Sequence, residues 1–384
     1  MRKFIILLLC ICTVMCPLGV LADDSNVIPD AVSGILIEAN SGRIIYEKEK
    51  DRQVAVASMT KMVAQIIILE NIEAGKIKWD DVITVSKNAE EMGGSQIYLQ
   101  QGEKMTVEDL MKGISMASGN DATVAMAEVI SGTEERFVKL MNQKVKELGL
   151  KNTAFKNCTG LDEEGHYSSA YDMAMIAREL VVNHPEILRF SSMYEDYLRE
   201  DTPNKFWLVN TNKLVRFYEG ADGLKTGHTD AAQYCLAATA KRKGVRLIGI
   251  VLGVPNSKVR NTQAMQLLDY GFNNVKQRVL KKSGEVVSTL KLDKADISEI
   301  QVKIKDDLVV VENLDGEEHK YTYDIVIDDV KLPIQANTVV GQIKVKEGKN
   351  VVSTMDLIVD KKVEKLSYLD LFLNSLLNIF SGEI

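Results

Sequence analysis

The chain has 384 residues, 46% of them hydrophobic and 26% charged, with 54 acidic against 47 basic side chains. A net charge of −7 argues against nucleic acid as a partner, because phosphate binding needs a basic surface. Five cysteines and four histidines without paired spacings exclude a disulfide framework, and we expect neither a metal nor a cofactor. The length predicts two domains.

Residues 1–22 are typical of a secretory signal peptide. Arg2 and Lys3 precede an apolar run, and Val20-Leu21-Ala22 provides a small-residue cleavage site. Cleavage would leave 45 of the 47 basic side chains and all 54 acidic ones, a net charge of −9. Lipidation at Cys16 is a weaker alternative, because Met15 stands where a small residue is expected. The sequence thus predicts an exported protein.

Hairpin signals stand at both ends of the next segment. Apolar runs flank Asn40-Ser41-Gly42, and a second hairpin is predicted over residues 234–252. Between them lies a helical block in which residues 106–109 and 169–172 are capping-box patterns. The last helix is predicted over residues 261–273. Strands from both ends predict an antiparallel sheet that closes one domain, which we bound at residues 23–275.

One predicted helix start in this block carries reactive side chains. Ser58 precedes Lys61 by three positions, and apolar residues then recur at helical spacing until Gly75, which places an amine beside a hydroxyl. A serine attacks only if a base takes its proton, so the pKa of the lysine must fall several units below about 10.4. We expect a second lysine, Lys225, to cause that fall.

A chance match must be weighed against this interpretation. Ser288 and Lys291 have the same spacing, but they lie in an alternating run typical of a strand. Residues three apart on a strand point to opposite faces, so Lys291 cannot serve the Ser288 hydroxyl. Ser58 and Lys61, by contrast, lie at a predicted helix start, where residues three apart are neighbours on one face.

Two further motifs follow Ser58 in order, Ser118-Gly119-Asn120 and Lys225-Thr226-Gly227. The set of three resembles penicillin-binding proteins and serine β-lactamases. Longer stretches resemble the low-molecular-weight penicillin-binding proteins that are serine-type D-alanyl-D-alanine carboxypeptidases, peptidase family S11. These stretches are residues 35–42, 117–122, 223–229 and 267–272. The resemblance covers nearly everything after residue 30.

The resemblance implies five catalytic residues. Ser58 would attack the carbonyl between the two terminal D-alanines after Lys61 takes its proton, and an acyl-enzyme on Ser58 would follow. Ser118 would relay a proton to the departing amine. Asn120 would hold the substrate amide and position Lys61, and Lys225 would keep the pocket positive.

It also implies a substrate-binding set that begins in the third motif with Thr226, Gly227 and His228. The backbone N–H groups of Ser58 and His228 would form the oxyanion hole. Thr226 and Arg260 would grip the free carboxylate of the last D-alanine, because an arginine is always charged and binds carboxylates bidentately. A surface arginine in a helix cap is the alternative for Arg260.

After Val275 the sequence changes character, and turns separate short Val/Ile runs. This pattern predicts a small all-β domain over residues 276–360, without a candidate acid, base or metal cluster, which we interpret as a scaffold or spacer. Residues 361–384 return to helical spacing with one apolar side. About fifteen residues cannot span a bilayer, which needs about twenty, but they can lie in its interface. The resemblance favours this membrane anchor over a helix packed on the protein itself.

The predicted fold is α+β, a β-lactamase/penicillin-binding-protein-like domain followed by the all-β domain and the amphipathic helix. The predicted function is that of an enzyme that removes D-alanine from peptidoglycan stem pentapeptides ending in D-Ala-D-Ala and is covalently inhibited by β-lactams. We expect it at the outer face of the cytoplasmic membrane, in the cell wall or on the periplasmic side. Three alternatives are a serine β-lactamase, a DD-transpeptidase and a catalytically silent wall-binding protein, although the last should have lost a motif residue.

Four other residues are interpreted as having no catalytic role. His166 is predicted to be an exposed turn residue. Glu186 is predicted to be a solvated helix residue, because Arg189 and Phe190 stand where the deacylating motif of a β-lactamase should continue. Cys158 and Cys235 could pair or remain buried as small hydrophobes, and the sequence leaves that open.

Overall fold

The computed structural model describes residues 26–314 and 319–373. The predicted signal peptide and the end of the predicted anchor helix lie outside these residues. The strands of the first part of the chain are β1 (Ser33–Glu38), β2 (Ile44–Lys48), β3 (Val82–Thr84), β4 (Lys104–Thr106), β5 (Glu195–Leu198), β6 (Phe206–Val209), β7 (Ala221–Thr229), β8 (Gln233–Arg242) and β9 (Val245–Val254). Its α-helices are α1 (Lys61–Glu73), α2 (Lys87–Glu90), α3 (Val107–Lys112), α4 (Asn120–Ser131), α5 (Glu134–Glu147), α6 (Ala170–Val182), α7 (Leu188–Ser191), α8 (Leu214–Phe217) and α9 (Ser257–Asn274).

A five-stranded antiparallel sheet in the order β2-β1-β9-β8-β7 organises the first domain. Strand β1 pairs with β9 along its whole length, from Ser33 opposite Leu252 to Glu38 opposite Leu247, so the two ends of the domain close the sheet as predicted. Side chains alternate between its faces. Ile35 and Ile37 point into a core with the helical block, whereas Leu36 points into a second core with α9.

Helix α1 lies inside the helical block, and residues 61–69 are all buried. A helix that is apolar on every side is typical of such a central position. The two predicted capping residues are confirmed, since the side chains of Thr106 and Ser169 accept hydrogen bonds from the backbone N–H groups of Asp109 and Asp172. Helix α9 begins earlier than predicted, at Ser257.

In the described residues of the second domain the regular elements are all strands, as predicted. They are β10 (Val275–Lys281), β11 (Val286–Lys291), β12 (Glu299–Ile304), β13 (Leu308–Asn313), β14 (Thr322–Ile327), β15 (Val339–Glu347) and β16 (Asn350–Val359). Five of them form a sheet in the order β11-β12-β16-β15-β14, and β10 pairs with β13.

Strand β10 was not predicted from the sequence. It follows α9 without a connecting residue, because Asn274 ends the helix and Val275 begins the strand. Away from this junction, Arg43 in the β1–β2 turn forms a salt bridge with Glu347 on β15. The two domains are therefore joined both through the continuous backbone and through an ion pair.

Candidate active site

Ser58 and Lys61 lie where a 3-10 turn, Ala57–Thr60, runs directly into α1. The Lys61 Nζ is 2.8 Å from the Ser58 Oγ, so the predicted neighbourhood of amine and hydroxyl is present. The same Nζ donates to the Asn120 Oδ1 at 2.6 Å and to the Thr159 carbonyl at 2.7 Å. Lys61 is completely buried. Asn120 thus comes from the second motif, whereas Thr159 was not predicted.

Burial lowers the pKa of Lys61 to about 7. The expectation that Lys225 would cause this shift is wrong, because loss of solvent around Lys61 is what lowers its pKa, whereas the repulsion between the two lysines lowers the pKa of Lys225. A neutral amine has two N–H donors and one lone pair. The Thr159 carbonyl can only accept, and the Asn120 Oδ1 likewise, since the Nδ2 of the same amide donates to the Gly93 carbonyl at 2.6 Å. In the neutral amine these two acceptors would take both N–H groups and leave the lone pair for the Ser58 hydroxyl, whose Oγ also lies 3.4 Å from the Thr159 carbonyl oxygen.

The second pair consists of Ser118 and Lys225. Lys225 Nζ donates to the Ser118 Oγ at 2.8 Å and to the carbonyl of Thr226 at 3.0 Å. Burial, followed by the charges of Lys61 and Arg260, lowers the pKa of Lys225 well below its usual value. Ser118 ends a π-helical turn, Gly113–Ala117, with a left-handed backbone at φ 63°. π-turns and left-handed residues concentrate at functional sites.

Two glycines allow the backbone to approach the Ser58 turn closely. A Cβ on Gly227 would lie 2.6 Å from the Val56 carbonyl oxygen and 3.4 Å from the Met59 nitrogen. A Cβ on Gly160, which has φ +86°, would lie 2.0 Å from the Ala57 carbonyl oxygen. Any side chain at these positions would push β7 or the 159–160 segment away from the serine. Gly227 was predicted and Gly160 was not.

The predicted carboxylate-binding residues lie near this strand. The Thr226 Oγ1 donates to the Thr211 Oγ1 at 2.8 Å. Arg260 is only 6% exposed, and its Nε and Nη2 donate to the Asn261 Oδ1 at 3.1 and 2.9 Å. No carboxylate in the described part of the chain pairs with this guanidinium, and burial lowers its pKa. The alternative of a surface arginine is therefore wrong. His228 is exposed, and its ring lies 4.0 Å from that of Tyr234.

The prediction that His166 is exposed is wrong. Its ring is buried, its Nδ1 accepts from the Lys156 N–H at 3.2 Å, and its Nε2 lies 2.8 Å from the Thr60 Oγ1. An accepting Nδ1 requires the proton on Nε2, which donates to Thr60. Burial also lowers the pKa of His166 to about 4. The polar turn folds back onto the start of α1, which its local sequence does not reveal.

The other secondary predictions have simple outcomes. Glu186 is exposed, lies in the 3-10 turn Pro185–Ile187 and pairs with Arg189, as expected for a solvated residue. Cys158 and Cys235 are both buried and both free. Within residues 26–314 and 319–373, no cluster of three His, Cys, Asp or Glu side chains could hold a metal ion.

Comparison with known proteins shows which family the chain resembles. Residues 23–256 match the D-alanyl-D-alanine carboxypeptidase family, and residues 276–365 match the C-terminal domain of penicillin-binding protein 5. The chain is 44% identical to the D-alanyl-D-alanine carboxypeptidase DacF of Bacillus subtilis, over 90% of this chain and 89% of that protein. It is 35% identical to DacA of Escherichia coli K12, over 86% and 85%. Penicillin-binding protein 5 of Haemophilus influenzae has a similar structure, with a TM-score of 0.65, 30% identity and coverage of 88% and 98%.

The three motifs, the antiparallel sheet and these matches define a low-molecular-weight penicillin-binding protein. The chain belongs to the D-alanyl-D-alanine carboxypeptidase family, peptidase family S11. It is a serine-type D-alanyl-D-alanine carboxypeptidase that removes the terminal D-alanine from peptidoglycan stem peptides through an acyl-enzyme. The fold and the function predicted from the sequence are therefore confirmed.

Proposed function

We propose that Ser58 is the nucleophile of this reaction and that Lys61 is its general base. The observation that carries the proposal is the hydrogen bonding of Lys61, whose two neutral-state N–H groups are occupied by Thr159 and Asn120. The lone pair then faces the Ser58 Oγ at 2.8 Å. Ser58 attacks the carbonyl between the two D-alanines, its proton passes to Lys61, and the acyl-enzyme forms.

Ser118 and Lys225 act on the leaving group. The Ser118 Oγ accepts from Lys225, so its own O–H is free to donate a proton to the departing amine of D-alanine. The proton that Lys61 took from Ser58 then replaces it on Ser118, which returns Lys61 to its neutral form. Lys225 is buried beside Lys61 and Arg260, which lowers its pKa and disfavours its charge, so the fixed positive charge at this end of the pocket is that of Arg260 rather than of Lys225. Water then attacks the acyl-enzyme, and Lys61 again takes the proton.

We assign the binding of the oxyanion and of the substrate carboxylate mainly to residues in and next to the third motif. We assign the oxyanion hole to the backbone N–H groups of Ser58 and His228, because Gly227 lets β7 run beside the Ser58 turn. Thr226 and Arg260 bind the free carboxylate. A buried guanidinium without a carboxylate partner in the described chain supports this role, because an anion from the substrate would complete it.

Hydrolysis of D-Ala-D-Ala peptides and of β-lactams should differ sharply in rate. We expect fast release of D-alanine from a diacetylated Lys-D-Ala-D-Ala tripeptide and slow turnover of penicillin, both measured on one preparation. Fast penicillin turnover would indicate a β-lactamase instead. Transfer of the acyl group to an added amine in preference to water would indicate a transpeptidase.

We also propose that the chain is exported after cleavage of residues 1–22, and that the domain of residues 276–360 is a spacer between the enzyme of residues 23–275 and an anchor of residues 361–384. No helix in the described part of the chain is long and apolar enough to cross a membrane. Residues 368–373 are helical, and the side chains of Tyr368, Leu369 and Phe372 are 93, 66 and 60% exposed. Apolar side chains exposed on a terminal helix support binding in a membrane interface.

Deleting residues 367–384 should release the enzyme from membranes and leave tripeptide hydrolysis nearly unchanged. The cut preserves the Leu366 N–H bond to the Lys294 carbonyl and the bridge between Ala295 and Lys365, which hold the end of the chain to the β domain. Sedimentation with vesicles of anionic lipid measures the binding. A full-length variant with Leu369→Ser and Phe372→Ser should show the same loss of vesicle binding. Loss of activity on truncation, or unchanged sedimentation, would contradict the anchor.

A further inference from the structure

The first domain has a cavity whose lining includes none of the residues assigned above to catalysis or substrate binding. It has a volume of about 620 Å³ and lies between the segment after α2 and the β5–β6 hairpin. We call it the Tyr98 groove. Its walls include two aromatic rings and three amide side chains, those of Tyr98, Phe206, Gln100, Gln101 and Asn204.

Tyr98 is held outward by a strained backbone. Its φ is +56°, which is unusual for a bulky residue, and its side chain is 66% exposed. The ring meets Phe206 edge to face, with centroids 5.6 Å apart. Such outliers persist only where surrounding bonds enforce them, and they concentrate at sites that bind ligands.

The hydrogen bonds that enforce this backbone go to Asp121, the residue directly after the second motif. The N–H groups of Ile97 and Leu99, on either side of Tyr98, donate to the Asp121 carboxylate at 3.0 to 3.1 Å. Asn120, the preceding residue, donates its own N–H to the Ser95 carbonyl at 2.7 Å. The segment that carries Tyr98 is thus hydrogen-bonded both to Asn120, which contacts Lys61, and to the residue after it.

The charged groups around the groove are already paired. Arg199 binds Glu103 and donates to the carbonyls of Ile97 and Tyr98. Lys205 pairs with Glu200 and lies 3.8 Å above the ring of Tyr197. The side-chain amides of the groove, by contrast, have no hydrogen-bond partner among the described residues. The groove therefore offers aromatic faces and neutral donors and acceptors, rather than a net charge.

We propose that the Tyr98 groove binds a sugar of the glycan strand that carries the stem peptide. N-acetylated sugars are uncharged, present apolar ring faces to aromatic side chains, and carry hydroxyl and amide groups that match glutamine and asparagine. The free stem peptide, with its carboxylates and amine, would favour a charged groove. The inference rests on the proposed function, because it assumes that the stem peptide reaches Ser58 while still attached to its glycan.

The test compares one pentapeptide in two forms, free and attached to an N-acetylglucosaminyl-N-acetylmuramoyl disaccharide. We expect wild-type kcat/KM to be about tenfold higher on the disaccharide form, mainly through KM, as one ring stack and one hydrogen bond would supply. In Tyr98→Ala the ratio should fall to about one, whereas Tyr98→Phe should keep it. Phe217→Ala removes an exposed ring outside the groove and should leave the ratio unchanged.

A ratio of one in the wild type, or an equal loss on both substrates in Tyr98→Ala, would overturn the proposal. If Tyr98→Ala folds poorly, Gln101→Ala is the second variant of the groove, and its ratio of kcat/KM on the two substrates should also fall. Binding of the free disaccharide, followed by NMR shifts of the Tyr98 and Phe206 rings, measures the site without turnover. Disaccharide binding without D-alanine release would leave the groove supported and contradict the proposed function alone.

Discussion

Penicillin is expected to add its mass once to the wild-type enzyme and not at all to the Ser58→Ala variant, measured on the intact protein. The β-lactam carbonyl would enter the same oxyanion hole as the peptide carbonyl, and the opened ring would leave an acyl group that water attacks slowly. The expected loss is complete, because the other hydroxyl with a buried lysine at hydrogen-bond distance, Ser118 beside Lys225, is assigned to the leaving group and not to the attack on the carbonyl.

The matched controls lie in the β domain. Ser288 and Lys291 repeat the spacing on β11, but Lys291 is exposed and pairs with Glu299, so Ser288→Ala and Lys291→Ala should label normally. Lys61→Ala should abolish labelling. The wild-type acylation rate should rise with pH and level off above about 7, because only the neutral Lys61 amine can accept the Ser58 proton. An adduct that persists in Ser58→Ala, or maps to Ser288, would mean that the nucleophile is wrongly assigned.

Arg260→Ala should lower kcat/KM strongly on a peptide that ends in free D-alanine. A carboxypeptidase differs from an endopeptidase in requiring that carboxylate, so it needs a fixed cation one residue beyond the scissile bond. Loss of a charge-assisted pair should cost about 1.5–3 kcal/mol, or roughly ten- to a hundredfold in kcat/KM. The same peptide with an amidated C-terminus binds without the charge, and its turnover should barely change.

Lys258→Ala is the control for this variant, since it removes an exposed cation from the first turn of the same helix. It should affect neither substrate. If Arg260→Ala impaired both substrates equally, Arg260 would support the fold, and the carboxylate would be held elsewhere, for example by Thr226 alone.

Features with a local sequence signature were predictable. The cap residues Thr106 and Ser169 form hydrogen bonds within three residues of themselves, so the pattern contains both partners. The alternation of Ile35, Leu36 and Ile37 between two cores likewise needs only the two-residue period of a strand. The adjacency of Ser58 and Lys61 follows from helical spacing.

Features that depend on the backbone of a distant segment were not predictable. The Thr159 carbonyl accepts from the Lys61 amine, and the Gly93 carbonyl fixes the orientation of the Asn120 amide. Because every residue has a backbone carbonyl, the sequence cannot show which carbonyls take these roles. The burial of His166 depends on how a polar turn folds against Thr60, more than a hundred positions earlier in the chain. Among the described residues, strand β10 pairs only with β13, which is remote in sequence.

The chain passes from α9 to β10 without a connecting residue, and the ion pair between Arg43 and Glu347 is a second link between the two domains. A catalytic unit on a long flexible linker can move through a wide volume. This junction provides no such linker. If the proposed anchor lies in a membrane, the second domain would therefore set the distance between the membrane surface and the catalytic domain, and with it the depth of the wall at which stem peptides are trimmed.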